Sequence, residues 1–397
     1  MTVTQIYTIL NTVIGETTGK TDLVKEDLSN IVDVGNEVFN NADKDKYVKS
    51  LLNHIGRVIF VNREYKGSAT SVLMDGWEYG SVAQKIQAEL PDSTENESWE
   101  LTDGETYNQD IFNAPTVSEK FFNSKVTYEI DMSFAERQVK QSFDNAGQMN
   151  SFFSMIENRI RMRRTIDFEN LIRRTINNFI GATALNGITD VTKPGNSTSV
   201  KAINLLKEYN DKFTKTLKAN VALFDLDFIK YAAYRLMLVS DRMVSASTLF
   251  NIGGKVRFTP KDLQHIVLLS EFRNAANVYL QSDTFHNELT KLPDSEPMNY
   301  WQGTGTTYEF DKTSNINVTV KDPATPSTTK DVSLSGILGV IFDRDALGVC
   351  NVDNRITTHY NAKAEFYNNF YKNDAQYFND WNENFVMFYI ADSVATR

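Results

Sequence analysis

The clearest alternation of hydrophobic and polar positions in this chain lies between Phe122 and Met132. Phe122 and every second residue from Val126 to Met132 are apolar, and polar residues lie between them, which is typical of a β-strand with one buried face. An earlier apolar run, Val58–Val61, leads into polar residues that end at Gly67. We predict that these segments form one long hairpin. Because a two-stranded hairpin buries little surface alone, it is expected to need a partner.

A helical period of apolar positions follows from about Ala146 to Ile180, and Gly181 is expected to end the helix. At 1.5 Å per residue this helix would be about 50 Å long. Its two halves carry apolar stripes at different angles: Met149, Phe153, Ile156 and Ile160 in the first, then Phe168, Ile172, Ile176 and Phe179 in the second. The helix is therefore expected to contact different surfaces along its length.

Shorter patterns fill the rest of the chain. Residues 1–53 contain short, polar helical segments that cannot bury a core alone, so we predict an arm that lies on another surface. A loop is expected at Asn186–Ser199, and helix and strand patterns alternate beyond it. The predicted helices are Val200–Phe213, Phe228–Val239 and one through Phe285 and Leu289; the predicted strands are Val221–Phe224, His265–Leu269, Ile316–Val320, Val332–Leu334, Ile337–Phe342 and the continuous apolar run Phe385–Ile390.

Composition restricts the possible functions without naming one. The 397 residues include 51 acidic and 41 basic side chains, a net charge of −10, so a general nucleic-acid coat is not expected unless positive charge is segregated. Cys350 is the one cysteine, which excludes an internal disulfide and a cysteine-rich zinc site. No apolar run approaches the length of a membrane span, and no signal pattern opens the sequence. We therefore expect a reduced, soluble protein made in the cytosol.

Charge is distributed unevenly along the chain. Eight acidic residues lie from Glu89 to Asp110, and no lysine or arginine occurs from Ile86 to Glu119. The long helix instead carries six arginines: Arg159, Arg161, Arg163, Arg164, Arg173 and Arg174. These arginines could bind phosphate groups or a partner's acidic surface, and the acidic total charge of the chain favours the partner. We predict that the acidic tip of the hairpin docks on basic surface of a neighbouring molecule, so that neutralising its acids or adding salt weakens association.

Candidate catalytic chemistry is sparse. Two Asp-x-Asp pairs, Asp225 with Asp227 and Asp343 with Asp345, could hold a divalent metal with a nucleotide sugar, as in a metal-dependent transferase. Each pair also follows a predicted strand, where an aspartate commonly caps the next turn or helix, and no glycine-rich phosphate loop accompanies either pair. The four histidines show no metal-ligand spacing. We therefore predict no catalytic, cofactor or metal site.

The order of the predicted parts is an arm, a hairpin, a long helix, a mixed α/β block and returning strands. Four local stretches accompany this order: Ile55–Val61, Trp77–Ile86, Asp262–Leu269 with the helix that follows, and Gly339–Val349 with the aromatic run to Ile390. Together they resemble the major capsid proteins of tailed double-stranded-DNA phages, which have the Hong Kong 97-type fold. The layout is most similar to those of small short-tailed phages.

The resemblance implies an α+β fold with parts that map onto this chain. They are an N-terminal arm (1–55), an extended loop formed by the hairpin (56–135), a spine helix with part of the peripheral domain (136–190), an axial domain (191–310) and peripheral-domain strands with the C-terminus (311–397). Only seven residues follow Ile390, so no appended immunoglobulin-like domain is expected. Lys66 lies in a hairpin suited to the crosslink of the family's prototype, but nothing marks its partner, so no crosslink is predicted.

The implied function is self-assembly into pentamers and hexamers that form the icosahedral head around the phage genome, without catalysis or cofactors. The implied partners are copies of the chain, a scaffolding protein and a portal, with packaged DNA touched only non-specifically and no membrane. The protein would be found in the virion after assembly in the cytoplasm of the bacterial host. The alternatives are another virion component, such as a connector or tail protein, and a transferase that uses Asp225 and Asp227.

Overall fold

A computed structural model describes residues 83–135 (except 92, 94, 107–109, 111 and 113), 146–282, 292–301 and 315–393, together with Asn11, Val72 and Leu73. The predicted arm apart from Asn11, the predicted strand Val58–Val61, and Phe285 and Leu289 lie outside these residues.

The described elements confirm the mixed α+β class. The helices are α1 (Ala146–Gly187), α2 (Leu205–Phe213), the short α3 (Ala219–Ala222), α4 (Leu226–Met243) and α5 (Ser270–Ser282). The strands are β1 (Ala83–Ala88), β2 (Val117–Phe122), β3 (Lys125–Ala135), β4 (Ala202–Asn204), β5 (Gln264–Leu269), β6 (Glu296–Met298), β7 (Asn315–Lys321), β8 (Thr329–Ser335), β9 (Ile337–Asp343), β10 (Leu347–Asn361), β11 (Phe366–Asn379) and β12 (Phe385–Tyr389).

A five-stranded sheet with the order β4-β12-β9-β5-β6 forms the centre of the core. Every residue of β9 and β12 is buried, as expected for strands covered on both faces, and α1, α2 and α5 contact this sheet. The predicted strands at 265–269, 337–342 and 385–390 are therefore confirmed within a residue or two. Strands from 191–310 and from 311–397 share this sheet, so one core spans both sequence ranges.

A second sheet with the order β10-β11-β3 contains much longer strands. The predicted alternation is confirmed in β3, whose even-numbered residues from Val126 to Met132 are partly buried while its odd-numbered residues are exposed. Its partner among the described residues is β11, in an antiparallel register that pairs Tyr128 with Asn373. The hairpin that the structure describes is instead formed by β1 and β2, which pair Ile86 with Glu119. Residues 123 and 124 separate β2 from β3, so the predicted single strand is two.

The long helix does not end at Gly181. It continues to Gly187 and contains 42 residues, about 63 Å at 1.5 Å per residue. A Cβ atom at Gly181 would lie only 2.7 Å from Cγ2 of Val318, on the β7–β8 hairpin that packs over the helix. The glycine therefore permits a close approach, whereas the sequence pattern had suggested a helix end.

Two other predicted elements are also wrong. The apolar run Val221–Phe224 is not a strand: it overlaps the helical turn α3 and leads to Asp225, whose carboxylate accepts a hydrogen bond from the Phe228 N–H and caps α4. The helix predicted from Val200 begins only at Leu205, because the short strand β4 precedes it and Asn204 caps it. Helix α5 begins directly after β5 and is described to Ser282, so the prediction of a helix through Phe285 and Leu289 is not tested.

Candidate assembly interface

The β1–β2 hairpin has an inner face that is mostly polar and an outer face that is mostly apolar, although Glu119 also lies on the outer face, opposite Ile86; we call them the polar face and the apolar face. Because successive strand residues point to opposite sides, Lys85, Gln87 and Lys120 share one face and are partly buried. On the other face the apolar side chains of Ile86, Val117 and Phe121 are 62%, 56% and 61% exposed. The polar face lies against the body of the protein and the apolar face points away from it, which is the reverse of an ordinary surface hairpin.

The polar face is bound by two carboxylates from the turn between β11 and β12. Lys85 Nζ lies 3.0 Å from Asp380 Oδ2 and 2.8 Å from Glu383 Oε1. Lys120 Nζ lies 2.8 Å from Asp380 Oδ1, and the Gln87 amide donates to Glu383 Oε1 at 2.6 Å. The side chains of Asp380 and Glu383 are only 1% and 6% exposed, whereas those of Lys85 and Lys120 are 20% and 38% exposed, so buried carboxylates meet partly exposed lysines.

The loop between α4 and β5 adds a third cation to this cluster. Arg257 Nη2 donates to Gln87 Oε1 at 2.5 Å, and its Nε lies 3.5 Å from Glu383 Oε1. Two residues earlier, Lys255 pairs with Glu89, the first acid of the hairpin tip. We name the five charged groups Lys85, Lys120, Arg257, Asp380 and Glu383 the hairpin-anchor cluster.

Electrostatics stabilise the charged forms within the hairpin-anchor cluster. Burial alone would raise the pKa of Asp380, but the charges of Lys85 and Lys120 outweigh it and hold that pKa below its ordinary value. Burial would lower the pKa of Lys85, yet Asp380 and Glu383 raise it overall. Nearby, burial raises the pKa of Asp343, whose carboxylate accepts from the Thr259 hydroxyl at 2.6 Å.

Beyond the anchor, the hairpin tip exposes large apolar side chains among its acids. Trp99 is 95% exposed and Phe112 is 89% exposed, and Leu90 and Leu101 are also exposed. Large exposed apolar surfaces on soluble proteins commonly mark sites where another protein binds. Within the part of the chain that the structure describes, the tip and the apolar face of β1 and β2 together form a surface suited to bind another protein.

The arginines of the long helix do not form the basic surface that the sequence suggested. Arg164 is largely buried beside Asn354 of β10, and the Arg174 guanidinium lies 5.4 Å from the centre of the Tyr377 ring. Arg173 Nη2 is 2.6 Å from Glu169 Oε1. These three arginines join the helix to itself or to the long-stranded sheet, so exposed charge on this helix is concentrated near Arg159 and Arg163.

The residues considered for metal chemistry are not brought together. Asp225 caps α4, and Asp227 is exposed and lies 3.9 Å from Lys215. Asp343 accepts hydrogen bonds from Thr259 and from the Asp345 N–H, as a turn-capping carboxylate does. Among the described residues no three histidine, cysteine, aspartate or glutamate side chains are grouped so as to hold a metal ion. No helix in the described part of the chain has the length and apolarity to cross a bilayer.

Sequence reasoning missed Asp380, Glu383 and Arg257. Their partners on the hairpin lie more than a hundred residues away along the chain, and sequence spacing does not reveal such contacts. One signal was available: between Lys85 and Glu89 the polar residues occupy every second position, and the residues between them are apolar. That pattern predicts a two-faced strand, although it does not show which face meets the body.

Comparisons with known proteins give one family match and several similar solved structures. A family model described as Phi29-like phage major capsid protein matches residues 6–389. No curated protein matches the chain. Among solved structures, the chain is similar to the capsid of Staphylococcus phage Andhra (10% identity, 82% of this chain and 84% of that chain, TM-score 0.49). It is also similar to the capsid of Cyanophage P-SCSP1u, with 12% identity over 83% of this chain and 90% of that chain and a TM-score of 0.43. For Mycobacterium phage Che8 the identity is 10% over 81% of this chain and 91% of that chain, with a TM-score of 0.40.

Proposed function

We propose that the apolar face and the tip of the β1–β2 hairpin bind a second copy of this chain. The chain belongs to the Phi29-like phage major capsid protein family, and it therefore forms the shell of a phage head, in which copies must contact one another. The order of hairpin, long helix, α/β block and returning strands agrees with the Hong Kong 97-type fold. The observation that carries the proposal is the reversed polarity of the hairpin, since its polar face is occupied by its own subunit.

Burying Phe121 against a neighbouring copy would contribute substantial free energy to association. A phenylalanine side chain buries about 150–250 Å² when fully covered. With Phe121 61% exposed, a neighbour would cover roughly 100 Å² of it, which contributes about 2.5 kcal/mol at 25 cal/mol per Å². Part of that free energy is offset by the entropy lost on association, so the apolar residues of the tip and strands are expected to act together.

Imaging assembled protein tests this proposal. The full chain, expressed with a candidate scaffolding protein, is expected to form closed shells, and Phe121→Ser is expected to reduce their yield strongly. Phe224→Ser is the matched control, because Phe224 is 73% exposed and lies in the turn before α4, not on the hairpin. Equal shell yields from both variants would refute the role of the hairpin face. Rings or open tubes in place of shells would favour a connector or tail protein.

Further partners follow as proposals. A scaffolding protein and a portal would guide assembly in the host cytoplasm, because an exposed apolar face lets copies associate but does not itself fix the size of a shell. The net charge of −10 supports only non-specific contact with packaged DNA. The acidic tip would dock on basic surface of the neighbouring copy. Neutralising several of its acids is expected to lower shell yield, and an unchanged yield would eliminate that contact.

The division of the chain also remains a proposal. We assign 1–55 to the arm, 56–135 to the extended loop, 136–190 to the spine helix with part of the peripheral domain, 191–310 to the axial domain and 311–397 to peripheral strands and the C-terminus. The helices α2, α4 and α5 within 191–310 support an axial region. The family is a structural one, and we infer that this chain has no catalytic activity.

A further inference from the structure

We propose that the hairpin-anchor cluster is an electrostatic latch that fixes the hairpin on the body of its own subunit before copies meet, and thereby directs the apolar face outward. The importance of the latch for assembly rests on the proposed function of the apolar face. The latch itself is a contact within one subunit.

Burial distinguishes this cluster from ordinary surface ion pairs. Exposed ion pairs contribute little to the stability of a protein. The Asp380 and Glu383 side chains are instead almost completely covered, and their charged partners come largely from the hairpin. Removing one lysine from the hairpin takes away part of the counter-charge of a buried carboxylate, which is more destabilising than losing a solvated pair.

The acceptor side of the latch is held in place without the hairpin. The Asp380 N–H donates to the Ala346 carbonyl at 2.7 Å, and the Glu383 N–H donates to the Asp380 carbonyl at 3.1 Å. The Trp381 carbonyl accepts from the N–H groups of Ile252 and Gly253 at 3.1 and 2.8 Å. The turn is therefore preformed by the body, and the hairpin adds donors to a fixed site.

The donor side comes from both strands of the hairpin, which makes the latch specific for one register. Lys85 and Gln87 lie on β1 and Lys120 lies on β2, where Lys85 and Lys120 are direct cross-strand partners. A shift of one residue in either strand would turn a lysine toward solvent and bring an uncharged or acidic neighbour, such as Ile86 or Glu119, toward Asp380. The ring contact of Phe122 with Phe378, 5.0 Å between centres, supports the same docked position.

Exchanging the charges tests the latch. The variants are Lys120→Asp, Asp380→Lys and the two combined, with Lys85→Met as a milder second variant. The readout is hydrogen exchange of 83–88 and 117–122 in the full chain below its assembly concentration. Each single variant is expected to speed exchange of these amides at least about tenfold, and the combined variant is expected to restore protection. Lys261→Asp is the control, because Lys261 forms a pair of similar length with Asp241 that is largely exposed.

A mixing experiment separates contacts within a subunit from contacts between copies. If Lys120 and Asp380 pair within one chain, a mixture of the two single variants shows no recovery of shell yield while the combined variant does. Recovery in the mixture would overturn the latch by placing the pair between copies. Unchanged exchange in both Lys120→Asp and Lys85→Met would also overturn it. Faster exchange with normal shell yield would support the latch and refute the hairpin role proposed above, so the two failures are distinguishable.

Discussion

Gly181 offers a direct test of how the β7–β8 hairpin packs on the long helix. The change is Gly181→Ala, near the middle of the buried half of α1. The new Cβ would lie 2.7 Å from Val318 Cγ2 and 3.2 Å from Val320 Cγ1. Both valines are about 5% exposed and are stiff at χ1, so neither methyl can easily turn away.

Two opposing effects decide whether Gly181→Ala raises or lowers the free energy of unfolding. Alanine is favoured over glycine in a helix by about 1 kcal/mol. Inserting a methyl group into a packed core costs about 1–3 kcal/mol. A separation of 2.7 Å places this site in the upper part of that range, so we expect Gly181→Ala to lower the free energy of unfolding by about 1–2 kcal/mol.

A double-mutant cycle in urea-induced unfolding of the unassembled chain measures this effect. Val318→Ala removes the methyl group that clashes, so the helix-favouring effect of alanine is expected to reappear in the double variant. The coupling between the two positions should reach about 1 kcal/mol or more. Stabilisation by Gly181→Ala alone, with no coupling to Val318, would refute the close approach of β7.

Two further predictions concern carboxylates. The pKa of Asp380 is lowered in the folded state, so ionised Asp380 stabilises the fold above the ordinary carboxyl pKa. This stabilisation is lost as the pH falls through the lowered pKa. The pKa of Asp343 is raised, so ionisation of Asp343 destabilises the fold. The stability difference between wild type and Asp380→Asn is therefore expected to shrink in urea titrations below about pH 4 and to stay constant from pH 5 to 7; shrinkage already at pH 6 would contradict the ion pairing. Asp225→Ala is expected to cost about 1 kcal/mol as a lost helix cap, with the same thermal shift with or without magnesium, manganese or zinc. A metal-dependent shift abolished by the substitution would instead revive the transferase alternative.

Sequence patterns predicted elements well where one local signal decides the structure. The short continuous apolar runs of β9 and β12 favour buried strands, as the structure confirms, and the alternation in β3 indicates which residues face inward. Sequence patterns failed where contacts between distant segments determine the structure. Gly181 looks like a helix end until the position of Val318 is known, and the pairing of β3 with β11 joins segments more than two hundred residues apart.

The candidate interface shows the same limit. The two faces of β1 could be predicted from alternation, as could the acidic tip. Which face of β1 lies against the body could not be predicted, because Lys85 is 298 residues from its partner Glu383 along the chain. For the arginines of α1, sequence predicted the positions but not the partners, since Arg164 and Arg174 use their charge inside the subunit.

The docked hairpin also has a thermodynamic consequence for how copies join. The strands β1 and β2 contain 12 residues, and immobilising each backbone unit costs about 1–2 kcal/mol in conformational entropy. If this disorder were lost only on association, it would cancel roughly 12–24 kcal/mol of contact free energy. Because folding has already removed it, each encounter between copies can rest on modest, reversible contacts, and wrongly placed subunits can dissociate before a shell closes.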